Sequence, residues 1–482
     1  MNNLIIGLGL VSLLAAQGCQ SIKQKQELTA DGQAPPTEVV LPFPEPEPIQ
    51  RELDEDLVYS YLVGEIGAHR GDLRTAQTHY MHAAILGQDA YAAERATRIA
   101  LHLRDYQGGL AAARRWVELA PNDMTARQLA AVLFLRNQQP DEAAGQLDAL
   151  VKIADARELD GFLQAAGALS VESDRAGAEQ LMLGLHERHP NDVRSLYALA
   201  VLEAAHRRFT EAEAHLRQVV GLEPDWEQPR ALLARVLVAQ NRRDEALAFL
   251  EASVRRQADS ALLHTTYARM LVDAADYQGA LEQFRKLSRL QPDDTELVFA
   301  YAMLATQQER WDEARPIWQK LRGDPDRRDE ASYYLAQIEE QEGNDELAIG
   351  LFGTVQGSEL EVDAVMRMAQ ILARNGRLEQ AREALQRARI ANPGRAADLY
   401  IGETQIVQKY GDRDAALALY ATALGAYPDN RDLLYNRALY VVELGDFAWM
   451  ERDLRRLLED DPENVDALNA LGYTLAVSYT HL

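Results

Sequence analysis

The sequence predicts an all-α fold, a solenoid in which similar helical hairpins stack in a row. The chain has 482 residues, more than the roughly 250–300 residues that a single hydrophobic core usually serves. Hydrophobic residues make up 47% and aromatic residues only 7%, and β-branched runs are scarce, so the composition favours helix over sheet. A pattern of small and large apolar residues recurs with a period of about 34 residues. This period indicates repeated units rather than separate globular domains.

The repeated pattern fixes where each unit begins. The predicted starts are residues 57, 90, 124, 159, 193, 227, 261, 295, 329, 362, 397, 431 and 465. A small residue opens most second helices: Ala76, Ala143, Ala178, Ala212, Ala246, Ala280, Ala314, Ala348, Ala381 and Ala416. Gly109 and Met450 replace it in two units. Four residues later stands a large apolar side chain, as in Tyr80, Leu147, Met182, Leu216, Leu250, Phe284, Trp318, Phe352, Leu385, Tyr420 and Leu454.

These residue types have mechanical roles in a helical hairpin. Small residues in the second helix, and in the first helix at Ala200 and Ala302, let two backbones approach closely. The large apolar residue fills the gap to the next hairpin, and prolines such as Pro224 end the second helix. These features resemble the tetratricopeptide repeat. The resemblance implies about twelve full repeats plus a truncated thirteenth over residues 57–476, wound as a right-handed superhelix with first helices lining its concave face.

Residues 1–18 have the pattern of a lipoprotein signal peptide. The segment from Leu4 to Ala16 is an apolar run, too short to cross a bilayer as a helix. The run leads into Ala-Gln-Gly-Cys, which resembles the bacterial lipobox and implies a lipid on Cys19. The lipobox usually has Leu where this chain has Ala16, and the first three residues carry no Lys or Arg. The alternative is an ordinary signal peptide followed by a chance cysteine.

Residues 19–56 are predicted to be the lipidated cysteine and a tether. Gln20, in place of Asp, implies sorting to the outer membrane, with the folded body on its periplasmic face. Six of the 17 prolines of the chain cluster in this segment: Pro35, Pro36, Pro42, Pro44, Pro46 and Pro48. Such a segment favours extended polyproline II structure, a semi-rigid spacer. A proline-motif ligand is the alternative interpretation.

The order of segments resembles one family as a whole. The lipobox and spacer are followed by an array that begins LVYSYLVGEI at residues 57–66 and continues with AERATRIA at residues 93–100. This resembles the tetratricopeptide outer-membrane lipoproteins that tether and activate a periplasmic carboxyl-terminal processing protease. The resemblance implies a scaffold that holds the protease at the envelope and presents cell-wall hydrolases for degradation. An assembly-factor lipoprotein for pili or outer-membrane proteins is the alternative, although such arrays are typically shorter.

The charge and the missing motifs exclude other function classes. The formal net charge of −25 repels a phosphate backbone, so we expect no nucleic-acid partner. No phosphate-binding loop, nucleophile elbow or HExxH sequence occurs, so we expect neither an enzyme nor a cofactor. His79 and His82 share a helix face, as do His186 and His189, but a metal site needs further ligands. We therefore expect no metal site.

Protein partners are expected on the concave face. The fifth position of the unit points inward in this fold, and it holds Tyr61, Tyr197, Phe299, Tyr333 and Tyr435. The ninth position holds Arg98, Arg235 and Arg269. Aromatic residues and Arg carry much of the binding energy at protein interfaces. Packing between repeats is the alternative role for these side chains.

Finally, residues 477–482 break the repeat pattern and are predicted to be a non-native tail.

Overall fold

The computed structural model describes residues 55–479, and this part of the chain is entirely helical. It contains 25 α-helices and no strand between these residues, as the sequence predicts. Odd-numbered helices are the first helices of the hairpins and even-numbered ones the second helices. In chain order, α1 to α25 are Glu55–Arg70, Leu73–Leu86, Ala90–Leu103, Tyr106–Leu119, Met124–Arg136, Pro140–Asp155, Gly161–Leu169, Arg175–Arg188, Val193–Ala205, Phe209–Leu222, Glu227–Ala239, Arg243–Arg256, Ala261–Asp273, Tyr277–Leu290, Thr295–Gln307, Trp311–Leu321, Arg328–Gln341, Asp345–Phe352, Glu361–Arg374, Leu378–Ala391, Ala396–Tyr410, Arg413–Ala426, Arg431–Glu443, Phe447–Asp460 and Val465–Tyr479.

The predicted repeat boundaries agree with these helices. Every first helix begins within two residues of its predicted start. The chain forms two compact units, which divide after Ala275. The first unit contains α1 to α13, and the second contains α14 to α25. In both units the extensive helix contacts join helices that are consecutive or next but one along the chain.

The predicted small-residue column lies at the centre of each hairpin. All ten alanines of the column, from Ala76 to Ala416, are fully buried. The large residues that follow four positions later are also buried, and Tyr80, Leu147 and Trp318 have no exposed surface. Methyl groups thus allow close approach of the two helices, and the larger side chains fill the space beyond them. This column and its larger partners form the hydrophobic core.

Short polar turns end and begin the helices. Asp72, Asp105 and Asp276 each precede a second helix, and their side chains accept a hydrogen bond from a backbone N–H of its first turn. This N-capping satisfies donors that the helix itself leaves unpaired. Several turns inside the hairpins also contain a residue with positive φ, which is glycine at Gly71 and Gly376. Glycine adopts this conformation without steric cost.

Two second helices of the second unit are shorter than the others in that unit. Helix α16 has 11 residues and contains Pro316, and α18 has 8 residues and ends before Gly353. Proline removes a backbone donor inside α16, and Gly357, with φ of 71°, turns the chain after α18. Aromatic rings fill the space around these helices. The period alone does not predict this shortening.

Buried carboxylates in the second unit are paired with arginines. Glu403 of α21, with 2% of its side chain exposed, accepts hydrogen bonds from Arg389 and, at 3.1 Å, from Arg382. Asp453 of α24 accepts two bonds from Arg437, at 2.7 and 2.8 Å. Each pair links two neighbouring helices. Burying a charged carboxylate is costly unless a cation or several hydrogen-bond donors lie beside it, and here the arginines fill that role.

Both ends of the chain bear on earlier predictions. The predicted signal peptide, Cys19 and nearly all of the tether lie outside the described residues. Helix α25 extends to Tyr479 and so includes the first three residues of the predicted non-native tail. The origin of this tail stays a prediction. Among the helices described, none is long and apolar enough to span a membrane.

Candidate protein-binding surface

Two predicted arginines lie on adjacent first helices of the first unit. Arg235 of α11 and Arg269 of α13 occupy the same position of consecutive repeats, and both are exposed. Leu262 of α13 is 38% exposed on the same unit, and Val201 of α9 occupies the equivalent position one repeat earlier. We call Val201, Arg235, Leu262 and Arg269 the arginine surface. It combines two cations with apolar side chains.

The charge environment of Arg235 differs from that of arginines on second helices. Arg217 of α10, for example, is ion-paired with Glu213 at 2.8 Å and with Glu245 at 2.7 Å. Within residues 55–479, no carboxylate forms an ion pair with Arg235. Burial raises the pKa of the Tyr197 phenol, and the positive charge of Arg235 opposes this effect. A guanidinium group that is exposed and not ion-paired can donate two parallel hydrogen bonds to a carboxylate of a partner.

Three predicted aromatic residues are buried among other rings. Tyr197 is 7% exposed and meets Trp226 edge to face, with ring centroids 4.8 Å apart. Phe299 is also 7% exposed and meets Trp318 at 5.4 Å, with the Arg327 guanidinium 4.6 Å from its ring centroid. The third, Tyr333, is 8% exposed and meets Phe352 and Tyr334. Each side chain therefore takes part in packing between helices, and its role in partner binding stays a prediction.

The other predicted residues are more accessible but separate from one another. Tyr61 of α1 is half-buried and donates a hydrogen bond to the carboxylate of Asp89. Arg98 of α3 has 56% of its side chain exposed and bonds to Glu94 of the same helix at 2.7 Å. Tyr435 of α23 is half-buried against the core of the last hairpins. The structure places Arg235 and Arg269 at equivalent positions of adjacent first helices, and it links Phe299 to Tyr333 through Trp318 and Tyr334.

The four histidines singled out in the sequence have local partners. His82 bonds to Ser60 at 2.9 Å, and His186 bonds to Ser195 at 2.7 Å. His189 lies 3.2 Å from a carboxylate oxygen of Asp148. His79 meets the ring of Tyr59 edge to face. No group of three or more His, Cys, Asp or Glu within the described residues is arranged to hold a metal ion.

The sequence did not indicate a depression at the turns of the first unit. Its volume is about 770 Å³, and Arg188, His189, Pro190, Arg194 and Trp226 contribute to its lining. The arginines are already paired, Arg188 with Asp148 and Arg194 with Asp155 and Asp192. Trp226 immediately precedes α11 and also contacts Tyr197. The only hint of this depression in the sequence was a tryptophan in a turn, and a search for helix periodicity does not detect residues in turns.

Comparisons with known proteins agree with the repeat architecture. Two tetratricopeptide-repeat family profiles match the chain, one over residues 203–270 and the other over residues 266–328, 302–358, 352–396, 366–409 and 408–448. The TPR repeat-containing protein PA4667 of Pseudomonas aeruginosa is 30% identical over 459 residues. The match covers 95% of this chain and 77% of that protein.

Solved structures of helical-repeat proteins are also similar. The structure of Naa15/Naa10 bound to HypK-THB has 15% identity and a TM-score of 0.33, covering 87% of this chain and 66% of that one. YrrB, described as a TPR protein with an unusual peptide-binding site, has 20% identity and a TM-score of 0.31, covering 37% of this chain and 92% of that one. On the family profiles and a relative that matches 95% of this chain, the chain belongs to the tetratricopeptide-repeat family, whose fold is typically a non-catalytic scaffold for protein–protein interaction.

Proposed function

We propose that this protein is a lipid-anchored scaffold that holds a carboxyl-terminal processing protease at the periplasmic face of the outer membrane. In this proposal the protein has no catalytic activity of its own. It activates the protease and presents cell-wall hydrolases as substrates. The anchor is the lipid on Cys19, and residues 20–54 separate the folded body from the membrane.

One observation supports partner binding on the first helices above all. Arg235 and Arg269 are exposed on adjacent first helices, and Leu262, two helical turns before Arg269, is also exposed. Arginine beside apolar surface is a frequent source of binding energy at interfaces, because its stem packs while its guanidinium group pairs with a carboxylate. We therefore propose that the arginine surface binds an acidic segment of the partner. The identity of the partner as a protease is supported by the resemblance of residues 1–100.

Affinity capture with the full chain tests the partner. The bait is the full chain, and the source is a periplasmic extract of the encoding bacterium. We expect the processing protease among the captured proteins. Arg235→Glu combined with Arg269→Glu should reduce its recovery, whereas Arg255→Glu on the second helix α12, with 70% of its side chain exposed, should not. Recovery of pilus or porin-assembly components without a protease would contradict the proposal and favour the assembly-factor alternative.

Lipid labelling tests the anchor at Cys19. An activity assay tests whether the chain lacks catalytic activity of its own and activates the protease. Radioactive palmitate should label the wild-type chain and not the Cys19→Ala variant, and persistent labelling would refute the anchor at this residue. The purified chain alone should not hydrolyse a cell-wall hydrolase substrate, and adding it to the protease should accelerate cleavage. Hydrolysis by the chain alone that is lost on a single substitution would contradict a non-catalytic role.

A further inference from the structure

Helix α1 presents an apolar stripe to solvent. Four large side chains on one face of this helix are strongly exposed: Val58 (38%), Tyr59 (58%), Leu62 (57%) and Ile66 (48%). The opposite face packs on the rest of the first hairpins through Ser60, Gly64 and Gly67, which are buried. Tyr59 meets the ring of His79 edge to face, and the remaining surface of the stripe faces solvent.

Three later first helices of the first unit bury the residue equivalent to Ile66. Leu133 and Leu202, at the same position of their repeats, have no exposed surface, and Val236 is 2% exposed. Leu133 reaches the second helix of the preceding repeat, since a Cβ atom on Gly109 would lie only 3.1 Å from its methyl carbon. No second helix precedes α1 among residues 55–479. Its stripe is thus the kind of surface that another helix covers elsewhere in the array.

The charges at the two ends of α1 have opposite signs. Glu55 and Asp56 stand in its first turn, and His69 and Arg70 stand in its last turn, all exposed. Glu55, Leu62 and His69 recur every seven residues, which places the acidic end, the centre of the stripe and the basic end on one face. An antiparallel pair centred on Leu62 places Val58 opposite Ile66 and Glu55 opposite His69 and Arg70. The surface is therefore complementary to itself under a two-fold rotation.

We propose that α1 binds α1 of a second copy of this chain, antiparallel and with the two-fold axis at Leu62. The apolar side chains interdigitate, and the acidic end of each helix pairs with the basic end of the other. A stable interface usually buries about 800 Å² per partner, more than one such stripe provides. Each copy also carries a net charge of −25. We therefore expect a weak dimer, with a dissociation constant in the micromolar range or above.

Cysteine crosslinking tests the contact and its direction. The full chain with Cys19→Ser contains no cysteine and accepts single cysteines on the stripe. Under mild oxidation Leu62→Cys should form a disulfide-linked dimer, because this residue meets its own copy. Val58→Cys and Ile66→Cys should crosslink when mixed and only slowly alone. Leu183→Cys on α8, 42% exposed, is the matched control. Crosslinking of Leu62→Cys no faster than Leu183→Cys would overturn the proposal.

Sedimentation measures the same contact without oxidation. Leu62→Glu should shift the chain to monomer, and Leu183→Glu should not. Arg70→Glu should weaken association, and Glu55→Arg combined with Arg70→Glu should restore it, because the end charges are then exchanged. Association unchanged by Leu62→Glu would show that copies meet elsewhere. A monomer at about 100 μM whose α1 amides are protected from exchange would mean that another segment or another protein covers the stripe, and the proposal would fail.

Discussion

The indole ring of Trp318 stacks on the phenol ring of Tyr334, with centroids 4.8 Å apart and planes inclined by 17°. Trp318 lies in the shortened helix α16, and Tyr334 lies in the next helix, α17. The indole N–H also donates to Thr306 at 2.8 Å, which ties the ring to α15. Burial raises the pKa of Tyr334 to about 12. One side chain thus joins three consecutive helices where the regular second helix is incomplete.

Replacing Trp318 by Ala should destabilise this part of the second unit by about 3–5 kcal/mol, the usual cost of removing a buried aromatic side chain. Unfolding of a repeat array is not all-or-none, so native-state hydrogen exchange of α15 to α17 is the suitable measurement. Ile390→Ala, at a residue that is 75% exposed, is the control and should change exchange little. Equal effects of the two substitutions would contradict the importance of the stack.

Replacing Glu403 by Ala should cost about 3–5 kcal/mol, because Arg389 then keeps a largely buried positive charge without its partner. The side chain of Arg389 is only 12% exposed, so solvent compensates poorly. Exchange of the amides in α20 and α21 reports the loss. Glu379→Ala is the matched control, since Glu379 also pairs with Arg382 but is 81% exposed. A loss of similar size in both variants would mean that burial is unimportant for this pair.

Two glycines of neighbouring helices should respond to alanine in opposite directions. A Cβ on Gly161 would lie 2.6 Å from the Cα of Val151, so Gly161→Ala forces α6 and α7 apart and should destabilise by about 1–3 kcal/mol. Gly145 in α6 is exposed and has no neighbour within 4 Å of its Cβ position. Gly145→Ala should stabilise by about 0.5–1 kcal/mol, because it improves helix propensity. Native-state hydrogen exchange of α6 and α7 in both variants checks the opposite signs.

The stability of the first unit should depend on pH through His215. A hydrogen bond of 2.8 Å to Glu203 raises the pKa of this imidazole in the fold, against the effect of burial. A raised pKa means that the fold prefers the protonated form, so this contribution is complete below the unfolded pKa of about 6.5 and is lost as pH rises through the folded value.

His215→Gln removes this pH-dependent contribution. Between pH 5.5 and 8, the free energy of opening of α10, measured by native-state hydrogen exchange, should therefore fall in the wild type relative to the variant. Burial together with His215 lowers the pKa of His186, an effect of opposite sign, so His186→Gln should alter the slope in the other direction. Parallel curves for wild type and His215→Gln would contradict the assignment.

The helices were predictable because only a few residue types fit the recurring positions of the repeat. An alanine that recurs once in each repeat, such as Ala212 and Ala246, fits only a position where two helices meet closely, and both are fully buried. The degree of burial of the side chains at the inward positions was not predictable in the same way. Tyr197 and Arg235 occupy comparable faces, but Trp226 packs on the tyrosine whereas the arginine is exposed. The cover comes from turns and neighbouring repeats, whose side chains do not follow the period.

The shortened helices show a second limit of the sequence pattern. Pro316 lies inside α16, and a proline there is expected to end a helix rather than to continue it for another turn. Trp318, two residues after this proline, contacts Phe299 and Thr306 of α15 and Tyr334 of α17. The period locates such helices but does not determine where they end.

Contacts such as that of Leu133 with the neighbouring Gly109 join adjacent hairpins, and within residues 55–479 the extensive helix contacts are all of this local kind. A duplication or loss of one repeat unit within a gene therefore disturbs a single junction, and every other junction keeps its partners. Evolution can consequently lengthen or shorten such an array by one repeat at a time, without changing the residues within any one hairpin.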